Sequence, residues 1–79
     1  MPSLQLNEDI VCVFEEIFIS EVQGRCGHNI TNITQAYWAY LSLKEQKRLR
    51  FWDKISDATG LSRERIYKFF RFTWSRKFY

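Results

Sequence analysis

The stretch "ISDATGLSRERI" (Ile55–Ile66) constrains this chain more than any other. It sets Gly60, Leu61 and Ser62 between two runs with helical apolar spacing. Glycine ends a helix at little cost, because it alone takes the left-handed conformation without a Cβ penalty. An apolar residue directly after it plugs the corner into the interior. Serine then opens the next helix by accepting an N–H from its first turn. Ile55 lies five residues before the glycine and Ile66 six after it, and both point into the space between the helices. The stretch therefore predicts two helices that meet at a tight corner and share a core.

The rest of the chain has the same helical periodicity. A first helix is expected over 8–22, capped by Asn7, with Glu8 and Asp9 suited to its positive end and Gln23-Gly24 as its stop. Ile10, Val13, Phe14, Ile17 and Phe18 form its stripe, widened by Val11, Ile19 and Val22, an arc that fits either the centre of the core or a second subunit. Asn32 and Gln35 have capping-box spacing for a short helix over 33–41, whose Tyr37, Trp38 and Tyr40 are expected to pack on the core. Ser42 and Glu45 have the same spacing ahead of a helix over 43–59, where Leu49, Trp52, Ile55 and Ala58 form one slowly turning face. Ser62 caps a last helix over 63–77, with Ile66, Phe69, Phe70 and Thr73 inward and Trp74 at the edge. The expected fold is all-α, a small three- to four-helix bundle formed as one domain over residues 1–79.

A chain of 79 residues buries only about 60% of its unfolded surface, so its core must be dense in large side chains. Here 46% of residues are hydrophobic and 18% aromatic, which opposes a disordered tail. No apolar run approaches the ~20 residues of a membrane helix, and the start lacks the pattern of a signal peptide. The expectation is an intracellular protein that is neither secreted nor membrane-bound. Asn29-Ile-Thr and Asn32-Ile-Thr match glycosylation sequons, which carry no weight in such a chain. Cys12, Cys26 and His28 offer three soft ligands where a structural zinc site uses four, so no metal is expected. With one histidine, no acid–base pair at a recognisable spacing and no phosphate-cradling glycine loop, neither an enzyme nor a cofactor is expected.

Charge divides the chain. Residues 1–41 set Glu8, Asp9, Glu15, Glu16 and Glu21 against Arg25 alone, a net of −4. Residues 42–79 set eleven Lys and Arg against Glu45, Asp53, Asp57 and Glu64, a net of +7. An acidic scaffold with a basic working half is suited to a polyanionic partner.

"ISDATGLSRERIYKFF" resembles the helix-turn-helix core of many DNA-binding regulators, over roughly residues 52–72. "RIYKFFRFTWSRK" is similar to the third helix of a homeodomain in placing Ile66 before the aromatic pair Phe69-Phe70. On that alignment Lys68, Arg71, Phe72 and Ser75 fall at base-facing positions. Homeodomains have an adenine-reading asparagine where this chain has Phe72, and an arginine where it has Trp74. The resemblance is thus to the wider homeodomain-like three-helix class, and adenine readout does not carry over.

A helical wheel puts Glu64, Lys68, Arg71, Phe72 and Ser75 opposite Ile66 and Phe70. With Arg63 near the helix start, these are the candidate base or groove contacts in a major groove. Arg and Lys suit guanine edges, Glu64 can accept from cytosine, and Phe72 can touch a thymine methyl. Lys44, Lys47, Arg48, Arg65, Arg76 and Lys77 are candidate phosphate contacts, which position without specifying. The expected function is sequence-specific binding of double-stranded DNA in transcriptional control, in the nucleus of a eukaryote or the cytoplasm of a bacterium. The alternative is a protein-interaction module on the same fold, with helix 1 or Phe72 as the surface for a second copy or another protein.

Overall fold

A computed structural model describes residues 6–79 as four α-helices: α1 (Glu8–Cys26), α2 (Ile33–Ser42), α3 (Phe51–Thr59) and α4 (Arg63–Phe72). Two 3₁₀ turns, Glu45–Arg48 and Trp74–Phe78, precede α3 and follow α4, and no strand occurs among the described residues. The all-α expectation holds.

Three helix starts are set by the caps expected from sequence. Asn7 Oδ1 accepts from Asp9 N at 2.7 Å, Asn32 Oδ1 from Gln35 N at 2.9 Å, and Ser62 Oγ from Arg65 N at 3.2 Å. Gln35 completes the α2 cap by accepting from Thr31 N at 2.9 Å. Each of the three cap bonds satisfies a donor that the first helical turn leaves unpaired.

Helix α1 runs a turn past its expected end. Gly24 stays helical, and the helix stops at Gly27, whose φ of 76° is left-handed and whose N–H reaches Gln23 O at 3.1 Å. The extra turn is held by Arg25. Its guanidinium pairs with Glu21 at 3.1 Å and donates to the carbonyls of Lys47 and Leu49 at 2.9 and 2.7 Å.

The same tether accounts for the main departure from expectation. The 43–59 segment is not one helix. Ser42 is the last residue of α2 and donates back to Trp38 O, so it does not cap a helix with Glu45. A 3₁₀ turn covers Glu45–Arg48, and Arg50 takes a left-handed φ of 58° before α3 starts. Leu49, expected on the apolar face, is 67% exposed as a result. Trp38, expected against the core, is 45% exposed and meets Tyr37 and Tyr79 edge-on.

The core is mostly aromatic. Phe18, fully buried, meets Phe14, Tyr40, Phe51, Phe70 and Trp74. Phe14 meets Phe69 edge-on at 5.3 Å and Trp74 at 5.1 Å. Such ring pairs add about 0.5–1.5 kcal/mol each beyond their burial. They seat α3 and α4 against α1. The radius of gyration, 11.9 Å, is close to the roughly 11.6 Å of a compact chain this long.

Candidate nucleic-acid interface

The corner between α3 and α4 is braced by hydrogen bonds. Gly60 ends α3 in the left-handed region (φ 75°), and its N–H donates to Ser56 O at 2.9 Å. Ser56 Oγ donates to Leu61 O, and Thr59 Oγ1 donates to Ile55 O at 2.7 Å. Leu61 is half-buried against the core, and Ile55 and Ile66 are fully buried.

The corner fixes which face of α4 turns outward. Ile66, Phe69 and Phe70 are buried, whereas Arg63, Glu64, Arg65, Tyr67, Lys68, Arg71 and Phe72 are exposed. Five of the six candidate base contacts therefore share the open side of one helix. Arg63 reaches Asp53 of α3 at 3.0 Å, and Lys68 reaches Glu64 at 3.0 Å. Exposed pairs of this kind are worth about 0–1 kcal/mol, so a phosphate or a guanine edge can displace them. The Arg71 guanidinium lies 5.6 Å from the Phe72 ring and contacts the Tyr67 hydroxyl at 3.4 Å. Phe72 itself is 54% exposed.

Ser75 is the exception. The wheel assumed a helix through residue 77, but α4 ends at Phe72 and the chain tightens into a 3₁₀ turn. That change in pitch takes Ser75 off the α4 face. It is buried, and its hydroxyl donates to Arg71 O at 2.6 Å. In the same turn the Trp74 indole N–H donates to Glu15 on α1 at 2.9 Å.

The candidate phosphate contacts are dispersed. Arg65 and Arg76 are exposed, with no anionic partner among the described residues. Lys77 pairs with Glu15 at 2.8 Å and lies over the Trp74 ring. Burial of Glu15 would raise its pKa, but the hydrogen bonds from Lys77 and Trp74 and the Lys77 charge leave it below the ordinary carboxylate value. Arg48 is half-buried, with its guanidinium 4.7 Å from the Tyr40 ring and Nη2 donating to Leu41 O at 2.9 Å. Lys44 and Lys47 line a separate cleft with Arg25, Cys26 and His28.

Sequence reasoning missed Tyr67 and Arg25. Tyr67 lies four residues before Arg71, a spacing that places the two side by side on a helix. Arg25, the one cation of the acidic half, had no local signal of its tether. Both cysteines are free, and no three His, Cys, Asp or Glu gather at one place among the described residues. No described helix is long and apolar enough to cross a membrane. The fold defines a small all-helical, four-helix domain. No protein-family model, curated protein or solved structure matches the chain.

Proposed function

We propose that this domain binds double-stranded DNA through α4, in the manner of a helix-turn-helix, and acts in transcriptional control. The observation that carries the reading is the two-sided character of α4. One side is buried in aromatic core, and the other presents Arg63, Glu64, Lys68, Arg71 and Phe72 to solvent. A major groove admits one helix, and its base edges suit these donors and the Glu64 acceptor. Arg65 and Arg76, without anionic partners, are the cations best placed to hold phosphates. The net +7 of residues 42–79 supplies long-range attraction.

A titration of labelled random-sequence duplex tests the reading, run with the wild type and Lys68→Ala/Arg71→Ala. Both substituted side chains are exposed, so the variant folds. Binding weakened tenfold or more in the variant supports the reading, since each good groove contact is worth about 1–3 kcal/mol. No binding at low salt, or equal binding by both proteins, refutes it.

A second reading rests on Phe72. A ring that is 54% exposed and has a guanidinium beside it is a candidate anchor for another protein. Phe72→Ala would then abolish association with that protein and leave duplex binding unchanged.

A further inference from the structure

A pocket of about 370 Å³ opens between α2, the first 3₁₀ turn and α4, within the roughly 300–1,000 Å³ range of small-molecule sites. Its walls include Tyr37, Tyr40, Arg48, Tyr67, Arg71 and Ser75, and no carboxylate side chain lines it. Two guanidiniums thus border one concavity, and neither forms an ion pair with a side chain among the described residues.

Arg48 carries the clearer signal. Its Nε is closed off from solvent and has no hydrogen-bond acceptor. A buried donor without a partner costs about 1–3 kcal/mol, and more when the group is charged. Folded chains rarely leave such a donor unpaired unless a ligand, an ion or a water meets it. Around Arg48 and Arg71 the exposed rings of Tyr67 and Tyr79 supply aromatic surface, and the buried Tyr37 and Tyr40 supply hydroxyls. The Tyr37 hydroxyl, held buried, and that of Tyr40 stay protonated well beyond neutral pH and so remain donors.

We infer that this pocket binds a phosphate group attached to a planar ring, as in a nucleotide, with Arg48 and Arg71 on the phosphate and the Tyr67 and Tyr79 rings against the base. Guanidinium groups match phosphate oxygens with two parallel N–H donors, and they form the stronger, charge-assisted class of hydrogen bond. The aromatic walls provide the stacking surface that a bare anion would not need. The inference does not depend on DNA binding by α4. A free nucleotide and a nucleotide within a strand present the same chemistry.

The test follows the Arg48 side-chain Nε–H resonance of the full chain by NMR. The probes are 5′-AMP, phenyl phosphate, inorganic phosphate and a short single-stranded DNA, at an ionic strength matched with chloride. A saturable shift with 5′-AMP and phenyl phosphate, tighter than with inorganic phosphate and at least tenfold weaker in Arg71→Gln, supports a free nucleotide as ligand. A shift with the single strand alone, weakened in the same variant, makes the strand the source of the phosphate. A response no different from that to chloride overturns the inference. So does phosphate binding that is unchanged in Arg71→Gln and, read from the backbone amides of Tyr40 and Tyr67, in Arg48→Gln. Arg71 is exposed, so its variant keeps the test valid even where loss of Arg48 unfolds the chain.

Discussion

Two glycine substitutions of the same chemistry should move stability in opposite directions. Gly60 has φ 75° and ψ 9°, and a Cβ built on it meets nothing within 4 Å. The cost of Gly60→Ala is therefore conformational and not steric. The left-handed region costs an L-residue about 1–2 kcal/mol. Loss of freedom in the unfolded chain returns about 0.4–1 kcal/mol of that, for a net loss near 1 kcal/mol. Gly24 also meets nothing within 4 Å, but it sits inside α1. There alanine is the better helix former, and Gly24→Ala should stabilise by about 0.5–1 kcal/mol. Urea denaturation checks both variants. With m near ~1 kcal/mol/M for a chain this small, the midpoints should fall by about 1 M for Gly60→Ala and rise by about half to one for Gly24→Ala. A neutral or stabilising Gly60→Ala at unchanged m would refute the left-handed corner, and with it the outward face assigned to α4.

Other outcomes follow from the same structure. Glu15→Gln should lower stability at neutral pH by about 1 kcal/mol, because the wild-type carboxylate is ionised and held by Lys77 and Trp74. Its folded pKa is lowered, so this advantage is present above the unfolded carboxylate value and is lost as pH falls through the folded one. Thermal melts of both proteins across acid pH should converge. Burial, with the Tyr79 hydroxyl beside it, raises Tyr37 to about 12. Its contribution is complete below the unfolded value near ~10 and is lost as pH rises toward 12, by ~1.4 kcal/mol per pH unit. Tyr37→Phe should flatten that alkaline loss. Phe18→Ala should cost about 3–5 kcal/mol. Against a total of roughly 4–12 kcal/mol for such a chain, that removes from about a quarter to all of the stability, read as a drop in melting temperature by circular dichroism.

Local chemistry was legible in the sequence wherever it stayed local. Asn7, Asn32 and Ser62 cap their helices through bonds to residues two or three positions on, and Gly60 ends α3 for reasons contained in its own backbone. Gly24 and Gly27 look alike in sequence. What separates them is Arg25, whose anchor lies on carbonyls 22 and 24 residues away. That tether also goes with the break before α3, so the apolar stripe from Leu49 misled. The outer face of α4 was legible through Phe72. Beyond it, the chain tightens into a 3₁₀ turn that takes Ser75 off the face, and the Trp74–Glu15 bond in that turn joins residues 59 apart. Arg48 looked like any surface cation, because only the packed α2 shows that its guanidinium lies over Tyr40 and lines a pocket.

The central claim is that α4 meets the phosphates and base edges of a duplex. Its most direct test is the salt dependence of binding to random-sequence duplex DNA. If Arg65 and Arg76 each neutralise about one phosphate, the logarithm of the binding constant should fall against the logarithm of salt with a slope of roughly −2. Arg65→Ala, which removes an exposed cation without an anionic partner, should reduce that slope by about 1. A slope near zero, or one that Arg65→Ala leaves unchanged, would contradict the account.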